Sequence, residues 1–156
     1  MDAFSSGLSK QHIDHEETIL YIDAILLQGF TLLAINNDSL AGALLACPLK
    51  FDKSLPDEIS QNFTIAKCVY VAEMMVVENA RGQGIGKQLL DQFFSSVDKT
   101  LYSDAFIRVW DQNIPALSLY QKVGFEPIAS IDQTKIKADG SGTLVMHKIY
   151  LHKKLQ

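Results

Sequence analysis

Between Asn79 and Leu90 the chain reads NARGQGIGKQLL, with glycines at 82, 84 and 86, an arginine before them and a lysine after. Glycine lets a backbone come close to a ligand and adopt conformations closed to other residues. The N–H groups of Gly82, Gln83, Gly84, Ile85, Gly86 and Lys87 could then point at a phosphate, and a helix starting there adds the positive end of its dipole. Arg81 or Lys87 could add charge. The plain alternative is a glycine-rich strand–helix turn. Two common phosphate loops fail on spacing. The G-x-x-x-x-G-K-[ST] loop needs one more residue between Gly82 and Gly86, and a hydroxyl where Gln88 stands. The G-x-G-x-x-G loop lies tight against a strand near the start of its fold. Here the pattern is G-x-G-x-G, set off from the preceding strand by ENARGQ.

A second chemical signal is Glu73, one acid within the otherwise apolar run VYVAEMMVV. Burying a carboxylate is costly unless it is paired or used. Glu73 could accept a proton, hold a cationic substrate, or form a structural ion pair with Arg108 on a neighbouring strand. The HIDHEE segment, with His12 and His15, reads as a solvated helix start with acids at the positive dipole end. It lacks a third ligand cluster, so no metal site is expected. His147 alternates with apolar neighbours and reads as a packed or surface residue.

The elements that must position these groups can be read from periodicity. HEETILYIDAILLQGF carries Ile19, Leu20, Ile22, Ile25, Leu26 and Leu27 at helical spacing, with Gly29 as its stop. FTLLAINND and LAGALLACPL read as a hairpin turning at Asn37-Asp38 and ending at Pro48. SLPDEISQNF is a loop with one helical turn. AKCVYVAEMMVVEN is a long strand, apolar enough for both faces to be covered. After the glycine loop, Ile85, Leu89, Leu90, Phe93, Phe94 and Val97 make one apolar helical stripe. AFIRVW is a strand. IPALSLYQKVGF is a short helix with Pro115 in its first turn and Gly124-Phe125 as a Schellman stop. EPIASIDQTKI and GTLVMHKIYLHKKL pair through ADGSG. Hairpin strands interrupted by helices predict a mixed α/β or α+β sheet.

The 156 residues fit one domain, 1–156, with 47% hydrophobic and 21% charged residues. With 14 Lys+Arg against 18 Asp+Glu the net charge is −4, which argues against a nucleic-acid binder and mildly favours a small basic partner. Cys47 and Cys68 lack paired metal or redox spacing and read as two buried thiols in a reducing cytosol. There is no signal-peptide pattern and no run long enough to span a bilayer, so a cytoplasmic protein without membrane contact is expected.

Arg81-Gly82-Gln83-Gly84-Ile85-Gly86 matches R/Q-x-x-G-x-G/A at every defined position. In this respect, and in carrying NIPALSLYQKVGF from Asn113 to Phe125 in order behind it, the chain resembles the GNAT family, the Gcn5-related N-acetyltransferases. The resemblance covers Ala66 to Phe125 and, more loosely, the flanking strands. It implies a mainly antiparallel sheet with two splayed parallel strands and flanking helices, and acetyl-CoA as co-substrate. It implies that the pantetheine arm pairs with Met74, Met75 and Val76 as an added strand would, and that an N–H there stabilises the developing oxyanion. Tyr120 matches the tyrosine that protonates the departing thiolate, and Asn113 matches a CoA contact while also suiting a helix N-cap. Some members carry a glutamate base where this chain has Arg108; Glu73 is the substitute. Members also open with a strand, whereas DAFSSGLSKQ is a poor one. The first strand is thus short or missing, or the edge is completed by a partner subunit in a homodimer. The expected activity is direct acetyl transfer to a primary amine of a small molecule, a polyamine or similar metabolite. A peptide or protein acceptor, or a non-catalytic acyl-CoA-binding regulatory module, are the alternatives.

Overall fold

The computed structural model describes residues 14–156. Helix α1 (His15–Gln28) is capped by Asp14, whose Oδ1 accepts the Glu17 N–H at 2.9 Å, with Glu16 and Glu17 in the first turn. Acids there suit the exposed N–H groups and the dipole. The helix start expected around His15 is in place, while His12 lies outside the described residues. At the other end the Gly29 N–H reaches the Ile25 carbonyl at 2.7 Å. Gly29 is not a left-handed stop: its φ is −126°, and a Cβ there would stand 1.8 Å from the Ala46 carbonyl oxygen. The glycine is needed because the helix end lies against the next hairpin.

That hairpin joins β1 (Phe30–Asn36) to β2 (Ser39–Pro48) through Asn37 and Asp38, both at positive φ. This is the turn geometry that matches strand twist. The short helix α2 (Asp57–Asn62) lies in the connection to β3 (Cys68–Val76). Next come α3 (Ile85–Ser96), β4 (Asp104–Trp110), α4 (Ile114–Lys122), β5 (Glu126–Ile136) and β6 (Thr143–Lys154). The six strands lie in the order β1-β2-β3-β4-β6-β5. Only β3 and β4 pair in parallel; every other neighbour is antiparallel. This is the expected mixed, mainly antiparallel sheet. Among the described residues no strand precedes α1; the DAFSSGLSKQ segment lies outside them.

Each face of the sheet has its own core. Leu44, Val71, Leu90, Phe93, Ile107, Tyr120 and Phe125 pack beneath α3 and α4. Ile25, Leu45, Leu49, Ile59, Tyr70, Phe106 and Tyr150 pack beneath α1 and α2. Strand β3 contributes to both, which explains its nearly unbroken apolar run. Helix α1 buries less than its periodicity predicts: Ile25 is buried, but Leu20 is 70% and Leu27 85% exposed. No described helix is long and apolar enough to cross a membrane.

Candidate active site

Strands β3 and β4 run paired from Cys68↔Asp104 to Val71↔Ile107, and there the pairing ends although both strands continue. The break coincides with a bulge. Leu45 faces Glu73 and Ala46 faces Val71, so Ala72 is the extra residue. A bulge bends its strand and re-aims the residues beyond it. From here β3 diverges from β4, and the β4-facing edge from Ala72 to Val76 has no strand against it. The backbone direction along this edge is fixed by Gly42, since a Cβ there would stand 2.7 Å from the Met75 carbonyl oxygen. Met75 therefore directs its main-chain groups at β2. Strand alternation sends those of Met74 and Val76 to the open edge. Of the three backbone contacts expected from the sequence, two face the splay and Met75 faces away from it.

The glycine loop sits beyond the end of β3. Gly82 and Gly84 have φ of +75° and +79°, and a Cβ at either would meet no atom within 4 Å. Positive φ rather than crowding demands glycine here, and the space in front of the loop is open. Gly84 is the N-cap of α3 and supplies no side-chain acceptor. The ladder begins with the Gln88 N–H on the Gly84 carbonyl at 3.0 Å, so the N–H groups of Ile85, Gly86 and Lys87 precede it. Gly86 serves packing instead, with a Cβ placed 3.1 Å from Leu119 Cδ2 and 3.6 Å from Met74 Cε. The flanking cations are engaged locally. Arg81 Nε donates to the Val76 carbonyl at 3.3 Å, and Lys87 Nζ pairs with Asp91 at 2.6 Å on the exposed helix face. Gln83 Nε2 donates to the Asn79 carbonyl at 3.2 Å. A cradle of main-chain donors, open glycines and a free strand edge fits a pyrophosphate with an extended amide-bearing arm.

Asn113 caps α4, its Oδ1 accepting the Ala116 N–H at 3.3 Å. The helix closes in a complete Schellman motif. Phe125 N–H bonds the Tyr120 carbonyl at 3.0 Å, Gly124 N–H bonds Gln121, and Gly124 has φ +96°. Tyr120 and Phe125 meet edge to face, with ring centroids 6.3 Å apart. The motif that ends the helix thus also fixes the Tyr120 ring. Tyr120 is buried, and burial first, then the nearby Glu73 charge, holds its phenol well above the ordinary range. Its hydroxyl makes no hydrogen bond among the described residues.

Glu73 faces the opposite side of the sheet, in phase with Leu45. Burial pushes its carboxyl from 4.5 up to about 7, against the pull of the Tyr21 hydroxyl and of Lys148, Arg108 and Lys135. The ion pair with Arg108 weighed from the sequence is not formed. Arg108 Nη1 instead donates to Asp52 Oδ1 at 3.1 Å and to the Tyr150 hydroxyl at 2.7 Å, and Tyr150 donates to Asp52 Oδ2 at 2.6 Å. Among the described residues Glu73 has no salt bridge. Asp52, Tyr150, Tyr21, Lys148 and Lys135 are the site neighbours that sequence reasoning missed. Lys148 alone carried a signal, being in phase with the buried Met146 and Tyr150 on β6.

The remaining candidates lie elsewhere. His147 is half exposed and pairs with Asp132 across β5 and β6 at 2.8 Å, on the face away from Glu73. Cys47 and Cys68 are buried free thiols, pushed up to about 11 and about 12 by burial. Among the described residues no three His, Cys, Asp or Glu side chains cluster as a metal site would require.

Comparison with known proteins points the same way. A ribosomal-protein-alanine N-acetyltransferase from Brucella melitensis superposes with a TM-score of 0.73 at 18% identity, over 99% of this chain and 88% of its own. A GNAT family acetyltransferase from Elizabethkingia anophelis with acetyl-CoA bound gives 0.64 at 23% identity, over 87% and 84%. An acetyltransferase from Bacillus subtilis in complex with CoA gives 0.59 at 25% identity, over 87% and 84%. No curated protein matches the sequence. The family model described as acetyltransferase (GNAT) domain matches residues 28–127, the span from the end of α1 through the splayed strands, glycine loop and α4. The chain therefore belongs to the GNAT acetyltransferase family.

Proposed function

We propose that this acetyltransferase moves the acetyl group of acetyl-CoA directly onto the primary amine of a small molecule, with Glu73 as base and Tyr120 as donor to the leaving sulfur. Acetyl-CoA supplies an acyl group activated as a thioester. The loop N–H groups from Gly82 to Lys87 would hold its pyrophosphate. Met74 and the Val76 N–H on the open edge offer hydrogen bonds to its arm, and an N–H there would face the carbonyl under attack. Glu73 takes a proton from the amine as its nitrogen bonds to the acyl carbon, directly or through water. A carboxyl held near 7 suits that task. The carbon–sulfur bond breaks, and the Tyr120 hydroxyl donates to the sulfur. Reference phenol and thiol values differ by about 1.5 units, so full transfer is uphill by roughly 2 kcal/mol. Burial of Tyr120 widens that gap, so Tyr120 acts mainly as a hydrogen-bond donor during bond breaking.

One observation carries this reading. Glu73 and Tyr120 approach the same splay from opposite faces of the sheet, near enough for the Glu73 charge to act on the phenol, and among the described residues Glu73 makes no salt bridge and the Tyr120 hydroxyl makes no hydrogen bond. The high thiol values at Cys47 and Cys68 support transfer without a covalent enzyme intermediate. The small-molecule preference rests on Glu73 being partly buried on the α1 side of the sheet with Tyr21 of that helix beside it, a position set back from the rim that a peptide would cross. The test is CoA release with a panel of small amines and N-terminal peptides. Turnover confined to peptides would replace the small-molecule reading. Absence of CoA release with every amine, while acetyl-CoA still binds, would favour a binding module.

A further inference from the structure

The charges around Glu73 run opposite to the net charge of the chain. Strand pairing sets Arg108 beside Tyr150, and Trp110 beside Lys148, which in turn faces Ile131 on β5. Directly paired residues share a face, and i, i+2 residues continue it. Arg108, Lys148, Tyr150, Ile131, Gln133 and Lys135 thus line the face onto which Glu73 projects. Extending the β3–β4 register past Val71↔Ile107 brings Glu73 level with the Arg108–Trp110 stretch, and so with Tyr150 and Lys148 one strand further on.

Three cations stand on this face, and they are not equally satisfied. Arg108 is answered by Asp52 and Tyr150. Lys148, half buried, and Lys135 make neither a salt bridge nor a side-chain hydrogen bond among the described residues. A half-buried ammonium without a counter-ion is unfavourable unless it is used. Burial, Arg108 and Lys135 together press the Lys148 amine down to about 8. Glu73 and Asp52 pull the other way without offsetting this, and neither makes a salt bridge to Lys148. Beside these lysines on β5, Gln133 donates through Nε2 to Ser54 Oγ at 3.0 Å and keeps a buried Oε1 with no partner.

We propose that the acceptor is a primary amine that also bears a carboxylate, an amino-acid-like molecule whose anionic end lies against Lys148 and Lys135 while its amine faces Glu73. This rests on the acetyltransferase reading above and reverses the polyamine preference that the acidic composition suggests. A polyamine would place a second cation beside two unneutralised lysines. A carboxylate supplies the missing counter-charge and leaves the amine at the base. It also accounts for the presence of Lys148 in a phase otherwise held by Met146 and Tyr150.

The experiment compares matched acceptors: several amino acids, each beside its decarboxylated amine and its amino-acid amide, assayed by CoA release. The expected result is a kcat/KM roughly tenfold or more higher for the carboxylate-bearing member, the size of one charge-assisted contact. In Lys148→Met, which keeps the apolar stem, that ratio should fall to near one, chiefly through KM. Equal or better turnover of the decarboxylated amines by the wild type overturns the proposal, as does a ratio that Lys148→Met leaves intact. A thermal-shift titration with the N-acetylated amino acids, run with CoA present, separates the two layers. A shift in the wild type that is lost in Lys148→Met, without turnover of any amine, would keep the anion site and remove the acetyl-transfer reading. No shift and no preference removes the anion site alone.

Discussion

Arg108 and Asp52 form a largely enclosed pair, Nη1 to Oδ1 at 3.1 Å, with the side chains 17% and 4% exposed. Tyr150 closes the triangle by donating to Asp52 while accepting from Arg108. The pair ties the loop after β2 to β4 and β6, and it takes the salt bridge that Glu73 lacks. Removing the charge of Asp52 should therefore do two things. Asp52→Asn leaves a buried guanidinium without its anion, a loss of about 3 kcal/mol of stability, readable by denaturant unfolding. It also frees Arg108 to stabilise ionised Glu73, so the acid limb of the pH–rate profile should move down. An unfolding free energy unchanged within error, or an unmoved limb, would contradict this account.

Glu73 gives a signed pH prediction of its own. Its folded value is raised from 4.5 to about 7, so the folded chain binds more protons than the unfolded one between those values. Wild-type stability is therefore highest relative to a neutral substitute below the lower value. It declines as pH rises through the window, and the full penalty applies above about 7. Glu73→Gln should match the wild type near pH 4 and exceed it at about pH 8 by on the order of 3 kcal/mol. Activity runs the other way. As the proposed base Glu73 must be ionised, so wild-type kcat/KM should rise through about pH 7, and Glu73→Gln should lower it at least a hundredfold. Full activity in the glutamine variant would make Glu73 structural.

Much of this site was legible in the sequence because it is local. The loop from Arg81 to Lys87, the cap at Asn113 and the stop at Gly124-Phe125 are each set by residues within a few positions of one another. The position of Glu73 in the splay is likewise set by one apolar strand. The bulge at Ala72 was not legible, because it depends on how β2 and β3 register, and it decides that Met75 turns its backbone away. The partners of Arg108 were hidden for a similar reason: Asp52 and Tyr150 are separated from it by 56 and 42 positions. Gly29 ends the helix as expected, but the reason that glycine is required there, the Ala46 carbonyl that excludes a side chain, lies on another element. Helix α1 kept its spacing, but spacing alone does not say which apolar residues find a neighbour.

Tyr120 should separate binding from chemistry. Its ring is held by the Phe125 edge contact and by the core beneath α4, and its hydroxyl makes no hydrogen bond among the described residues. Tyr120→Phe should thus unfold within about 1 kcal/mol of the wild type, since the packing volume is retained. Acetyl-CoA affinity should be preserved and kcat should fall by tenfold or more. Single-turnover rates with saturating acetyl-CoA measure this directly. An unchanged rate would return Tyr120 to the core as a packing residue.

Gly84 and Gly140 make a matched pair for testing the loop. They have φ of +79° and +71°, and a Cβ at either meets nothing within 4 Å. Alanine at each position therefore carries similar backbone strain, roughly 1–2 kcal/mol. Gly140 lies in the β5–β6 turn, outside the glycine loop, whereas Gly84 caps α3 at the proposed phosphate donors. Both variants should lose comparable melting temperature without ligand. With saturating acetyl-CoA, mass action should raise the wild type and Gly140→Ala alike, by about 2.7 kcal/mol at a hundredfold excess over Kd. Gly84→Ala should show little of that rise, because its methyl group occupies the approach to the N–H groups of Ile85 and Gly86. Equal shifts in the two variants would mean that the grip lies elsewhere than in this loop.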